Sequence, residues 1–129
     1  MEITHNPVSW FEIPVGKMER AIKFYEAVFD FKLERHQFPS IDMAWFPWII
    51  GSEGSGGSLV YHEDFYIPSK EGPLIYFTAF SGDLNNELAR VEPNGGKVTV
   101  PKTRVSEEHG YCAVFIDTEG NRVAMHSIR

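Results

Sequence analysis

The alternation of apolar and polar positions changes period several times along the chain, and those changes mark out its elements. Over residues 8–15, Phe11, Ile13 and Val15 fall on one face of an extended segment, with Trp10, Glu12 and Pro14 on the other; this predicts a strand. From 17 to 29, Met18, Ala21, Ile22, Tyr25 and Val28 recur at helical spacing, with Arg20, Lys23 and Glu26 outside the stripe. Strand-like stretches follow near 32–37, 43–50 and 58–62, the last two separated by a flexible glycine- and serine-rich loop over 51–57. The pattern then restarts, with a strand at 74–80 and a helix over 83–92 that carries Asp83 as its N-cap and stops at Pro93-Asn94-Gly95-Gly96. Strands at 97–100, 111–117 and 122–126 complete the second half, the last two joined by the turn Asp117-Thr118-Glu119-Gly120-Asn121.

The order is therefore β-α-β-β-β twice. A shift of 66 residues lays Trp10 on Tyr76, Glu12 on Thr78, Gly16 on Gly82, Met18 on Leu84 and Ile22 on Leu88, which is the signature of an internal structural repeat. The expectation is one α+β domain built of two βαβββ modules, 6–71 and 72–129, forming a curved mixed sheet around a central cleft. Each module exposes a sheet face that needs the other to shield it.

The stretch from Pro14-Val15-Gly16-Lys17 through Phe24-Tyr25 to Phe29 resembles the opening βα signature of the vicinal-oxygen-chelate (glyoxalase, bleomycin-resistance and dioxygenase) superfamily. Gly110 to Arg122, with its Asp-x-x-Gly-Asn turn, resembles that family's closing hairpin. Lys17 departs from the pattern, since the family usually has a capping Asp there. The resemblance implies a cleft in which metal-dependent members hold a divalent ion through His and Glu side chains on strands. Those positions fall on Trp10, Tyr76 and Ala124, with a further one near 58–60. An indole and a methyl group cannot ligate an ion, and a neutral phenol is a poor ligand, so no metal and no other cofactor is expected. The resemblance also implies a homodimer, because proteins of this fold commonly form dimers.

Composition narrows the functional classes. The chain has 129 residues and a formal charge of -6, with no basic run; this argues against nucleic acid as a partner. No apolar stretch is long enough to span a bilayer and no signal-peptide pattern opens the chain, so a cytoplasmic setting without membrane association is expected. The single cysteine, Cys112, lies in an apolar strand and reads as an inert core thiol.

Aromatic residues make up 14% of the chain, enough both to fill a core and to line a small-molecule cleft. The candidate lining is Trp10, Trp48, Tyr76, Thr78, Phe80 and His126. Among the other histidines, His62 with Glu63 and Asp64 is the densest cluster, and reads as a polar loop. Glu12 stands out, because the strand phase points it into the cleft between Trp10 and Pro14. A carboxylate there can serve as a general base, or be held structurally by hydrogen bonds to Thr78 or His126. Two functions follow. One is a metal-free protein that binds a small aromatic or amphipathic molecule. The other is a lyase- or isomerase-type enzyme using Glu12 as base.

Overall fold

The computed structural model describes residues 2–129. The elements run β1 (Trp10–Pro14), α1 (Met18–Phe29), β2 (Glu34–Gln37), β3 (Asp42–Trp45) and β4 (Gly56–Tyr61) in the first module. The second holds β5 (Ile75–Thr78), α2 (Leu84–Leu88), a 3-10 turn at Glu92–Asn94, β6 (Lys97–Ser106), β7 (Gly110–Ile116) and β8 (Arg122–Ser127). The fold is α+β, as the pattern predicts, but the strands form two mixed four-stranded sheets rather than one. Their orders are β1-β4-β3-β2 and β5-β8-β7-β6, with β1–β4 and β5–β8 the parallel pairs. The second order repeats the first, so the 66-residue shift carries the topology as well as the element order.

Several boundaries differ from the sequence reading, each for a local reason. The apolar run over 43–50 leaves the sheet after Trp45, and Pro47 has no N–H to offer a neighbouring strand. Gly56 and Gly57 belong to β4 rather than to a loop, because side chains of β1 cross them. A Cβ on Gly57 would meet the Phe11 ring at 2.3 Å, and one on Gly56 would meet the Trp10 ring at 3.2 Å. α2 ends at Leu88, where the chain tightens toward the Pro93 turn. β6 runs on to Ser106, with register shifts against β7 around Pro101.

The helices lie between the two sheets. α1 packs on β3 and β4 of its own sheet. Its other side meets the second sheet, where Phe24 and Phe29 touch Phe115 and Tyr25 and Phe29 touch Phe77. One buried core therefore holds Ile13, Val15, Phe24, Tyr25 and Leu59 of the first module with Phe77, Leu84, Phe115, Val123 and Met125 of the second. Arg90 ties the helix layer together by donating from Nε to the Val28 carbonyl at 2.8 Å.

A polar seam joins the same modules. Lys17 offers α1 no side-chain cap, and Glu119 from the β7–β8 turn does that work instead. Its Oε1 accepts from the Gly16 and Lys17 amides at 2.9 and 2.8 Å, and Arg20 grips both carboxylate oxygens at 2.8 and 2.9 Å. Close by, the Tyr25 hydroxyl donates to the buried Asp117 carboxylate at 2.6 Å, and Asn121 Nδ2 donates to the Pro14 carbonyl at 2.7 Å. Burial and the neighbouring Asp117 push the Tyr25 hydroxyl well above the ordinary tyrosine range. Among the described residues, no helix is long and apolar enough to cross a membrane.

Candidate functional site

With the helices inside, each sheet turns its other face outward. The register places Trp10, Glu12 and Pro14 of β1 beside Gly56, Ser58 and Val60 of β4, and then Trp45 and Met43 of β3, all on the open face of the first sheet. Phe11 and Ile13 pack inward, so the face assignment read from the alternation of β1 holds. On the second sheet the open face carries Tyr76 and Thr78 of β5 opposite Ala124 and His126 of β8, then Val114 and Cys112 of β7.

Within one chain, then, Trp10 and Glu12 lie on one outward face and Tyr76 and Thr78 on the other, with the shared core between them. The sequence alternation assigns the faces, but it carries no information on which way the modules pack. The aromatic candidates are correspondingly exposed: Trp10 by 39%, Tyr76 by 55%, Trp48 by 63% and Phe80 by 66%. Thr78 and His126 border a recess of about 360 Å³ at the ends of β5 and β8, together with Gly82 and Arg129.

Glu12 is held by two neutral donors. The Tyr66 hydroxyl reaches its Oε1 at 2.7 Å, and the Trp10 indole N–H reaches Oε2 at 3.3 Å. The partners considered from the sequence, Thr78 and His126, belong to the other sheet. Tyr66 comes from the segment that leaves β4 toward the second module, and nothing in the pattern marked it. Its hydroxyl is raised above the ordinary tyrosine range, chiefly by that hydrogen bond to Glu12.

His126 uses Nε2 on the His109 carbonyl, which as an acceptor places the proton on that nitrogen. His62 is spent locally, its Nδ1 accepting from the Asp64 amide at 3.0 Å while its ring meets Phe65. Cys112 lies in a strand as expected, but its thiol is half-buried on the open face opposite His126, while Ala113 and Phe115 fill the core. The core-thiol reading is corrected accordingly, since alternation along β7 sends odd and even residues to opposite faces.

The donor set does not fit a divalent ion. The positions where the family's metal enzymes carry ligands hold the Trp10 indole, the Tyr76 phenol and the buried Ala124 methyl, and at β4 the Ser58 hydroxyl donates to backbone carbonyls. Among the described residues, no group of three or more His, Cys, Asp or Glu side chains is placed to hold a metal.

Residues 8–125 match the Glyoxalase/Bleomycin resistance protein/Dioxygenase superfamily. No curated protein sequence matches the chain. Among solved structures, glyoxalase I from Zea mays superposes with a TM-score of 0.69 at 20% identity, over 95% of this chain and 46% of the maize one. The chain thus spans about half the length of that enzyme. A glyoxalase/bleomycin resistance protein from Albidiferax ferrireducens T118 gives 0.64 at 19% identity, over 93% of this chain and 97% of that one. One from Streptomyces sp. CB03234 gives 0.62 at 23% identity, over 92% and 98%. At these identities the likeness concerns the fold.

Proposed function

The chain belongs to the glyoxalase/bleomycin resistance/dioxygenase superfamily, and from that premise we propose that it is a small-molecule-binding protein that works without a metal. Its ligand is a small aromatic or amphipathic molecule, taken on the open aromatic face around Trp10. The observation that supports this reading is the pairing of exposed indoles with Trp10, Tyr76 and Ala124 at the positions where the resemblance puts metal ligands. Large apolar rings left half in water on a sheet face are the usual mark of a surface that receives something.

Glu12 is oriented by Tyr66 and Trp10, a setting that favours a holding role over that of a general base. The alternative, a lyase- or isomerase-type enzyme, requires that carboxylate for turnover. Native mass spectrometry of freshly purified protein, followed by titration of the captured class of molecule against tryptophan fluorescence, tests the binding reading. Trp10→Ala is expected to weaken binding by about 1–2 kcal/mol, the worth of one stacked ring. An unchanged affinity would exclude Trp10 from the site. Turnover abolished by Glu12→Gln would favour the enzyme.

The same surfaces support a homodimer as the working assembly. Each outward face carries exposed rings that its own chain leaves uncovered, and a second copy can close both at once: its second sheet on the first chain's first sheet, and the reverse. Such pairing would set the partner's Tyr76 and Thr78 toward Trp10 and Glu12, the residues that one chain holds apart. Light scattering at micromolar concentration is expected to give twice the chain mass of 14.7 kDa. The mass of one chain would refute the pairing.

A further inference from the structure

We propose that Trp10, Trp45 and Glu12 form a corner that receives an organic cation, an alkylated or quaternary ammonium group. This deepens the small-molecule reading and rests on it. The two indoles meet almost at a right angle, 84°, with ring centroids 6.0 Å apart. They come from strands on either side of β4, Trp10 opposite Gly56 and Trp45 opposite Ser58. The small residues at these β4 positions are buried beneath the rings, a Cβ on Gly56 meeting Trp10 at 3.2 Å and Trp48 at 3.3 Å, while Trp10 and Trp45 keep 39% and 36% of their surface exposed. Ser58 adds no polar group to the corner, because its hydroxyl is turned to the Ala44 and Leu59 carbonyls. Trp45 is steadied from behind by the His36 ring, 3.9 Å away between centroids.

A flat neutral ligand needs one ring to stack on. Two indole planes set as a corner instead suit a compact, roughly spherical group, and a cation is drawn to their electron-rich faces. Glu12 supplies the charge. Its carboxylate stands beside Trp10, and both of its hydrogen-bond donors, the Tyr66 hydroxyl and the Trp10 N–H, are neutral. Among the described residues, no Lys, Arg or His forms an ion pair with it, whereas Glu119 and Asp42 are paired to arginines and Asp83 to a lysine. A carboxylate held by neutral donors at the edge of an aromatic corner favours a ligand that brings its own positive charge and disfavours an anion. The chain's formal charge of -6 works in the same direction at longer range.

Choline and its uncharged isostere 3,3-dimethylbutan-1-ol have nearly the same shape, so titrating both against the full chain by calorimetry isolates the charge. Choline is expected to bind about tenfold more tightly than the alcohol. Glu12→Gln is expected to reduce that preference about five- to tenfold without changing the circular dichroism, and Trp45→Leu to remove choline binding while the melting temperature stays close to that of the parent. Equal binding of the two probes, or no binding of choline, would overturn the proposal. 2-Naphthol, a flat neutral probe, separates this failure from the broader one. If naphthol shifts the Trp10 fluorescence and choline does not bind, the cation assignment alone falls; if neither binds, the small-molecule reading of this face falls with it.

Discussion

Phe77→Ala is expected to lower the unfolding free energy by about 3–5 kcal/mol, the range for removing a large ring from a packed core. Phe77 belongs to the second module, yet its ring sits among aromatic side chains of the first. It stacks on Phe29 at 4.8 Å, and meets Phe46 at 5.1 Å, Tyr25 at 5.7 Å and Phe11 at 5.8 Å. Four rings anchored on β1, α1 and the segment after β3 cannot all shift into the space it would leave, so most of the cavity would persist. Denaturant titration is expected to move the midpoint with the slope unchanged, since the modules share one core and unfold together. The adjacent Tyr76 points outward, and at concentrations where the chain is monomeric Tyr76→Ala is expected to cost no more than about 0.5 kcal/mol. Similar losses for the two would refute the placement of the shared core.

Glu119→Ala is expected to cost about 2–3 kcal/mol at neutral pH and to flatten the acid limb of the stability curve. Burial by itself would push the Glu119 carboxyl up. The Arg20 guanidinium, the Lys17 and Gly16 amides and the Thr118 hydroxyl outweigh that and hold it down to about 2, against an ordinary 4.5. A carboxyl depressed in the folded state contributes stability above its unfolded pKa and loses that contribution as pH falls through its folded one. The loss therefore runs from about pH 4.5 to about pH 2.

Asp117, a few ångströms along the same seam, has the opposite sign. Burial raises its carboxyl above the ordinary value despite the Tyr25 and Asn121 hydrogen bonds, so its contribution is present at low pH and declines as pH rises through its folded pKa. The two partly offset each other in the parent protein. Removing Glu119 is therefore expected to leave a curve that falls less steeply between pH 4.5 and 2, with Asp83, held down by Lys102, keeping part of the loss, measured as the denaturation midpoint at stepped pH. An acid limb identical to the parent's would show that the clamp does not hold.

The first strand and helix are close to what the alternation predicts, and so is the inward phase of Phe11 and Ile13. A period of two or of 3.6 is imposed by whichever face is buried, and both faces of β1 differ sharply in polarity. The errors are concentrated where the pattern carries no such contrast. The run from Met43 to Ile50 is apolar throughout and cannot say where the strand stops, and Gly56 and Gly57 look like loop until the rings that cross them are known.

The two stretches that carry the family resemblance prove to be partners in space. Phe24-Tyr25 and the Asp117 to Asn121 turn meet through the Tyr25–Asp117 and Asn121–Pro14 hydrogen bonds, and Glu119 in that turn supplies the helix cap that Lys17 lacks. Their presence was legible, their contact was not, because hydrogen bonds across more than ninety residues leave no local pattern.

The candidate site divides in the same way. Local sequence was enough to put Trp10 and Glu12 on one face of a strand and to pair them by repeat with Tyr76 and Thr78, and the family resemblance added the expectation that Trp10, Tyr76 and Ala124 stand where metal enzymes carry ligands. Tertiary structure alone decided that the helices lie between the sheets and the two halves of the site look away from each other. It also decided that Tyr66 and Trp45 join Glu12 and Trp10. Periodicity reports which face of an element is buried, while the relative placement of two sheets depends on how their helix layers interlock, and that is a property of the assembled core.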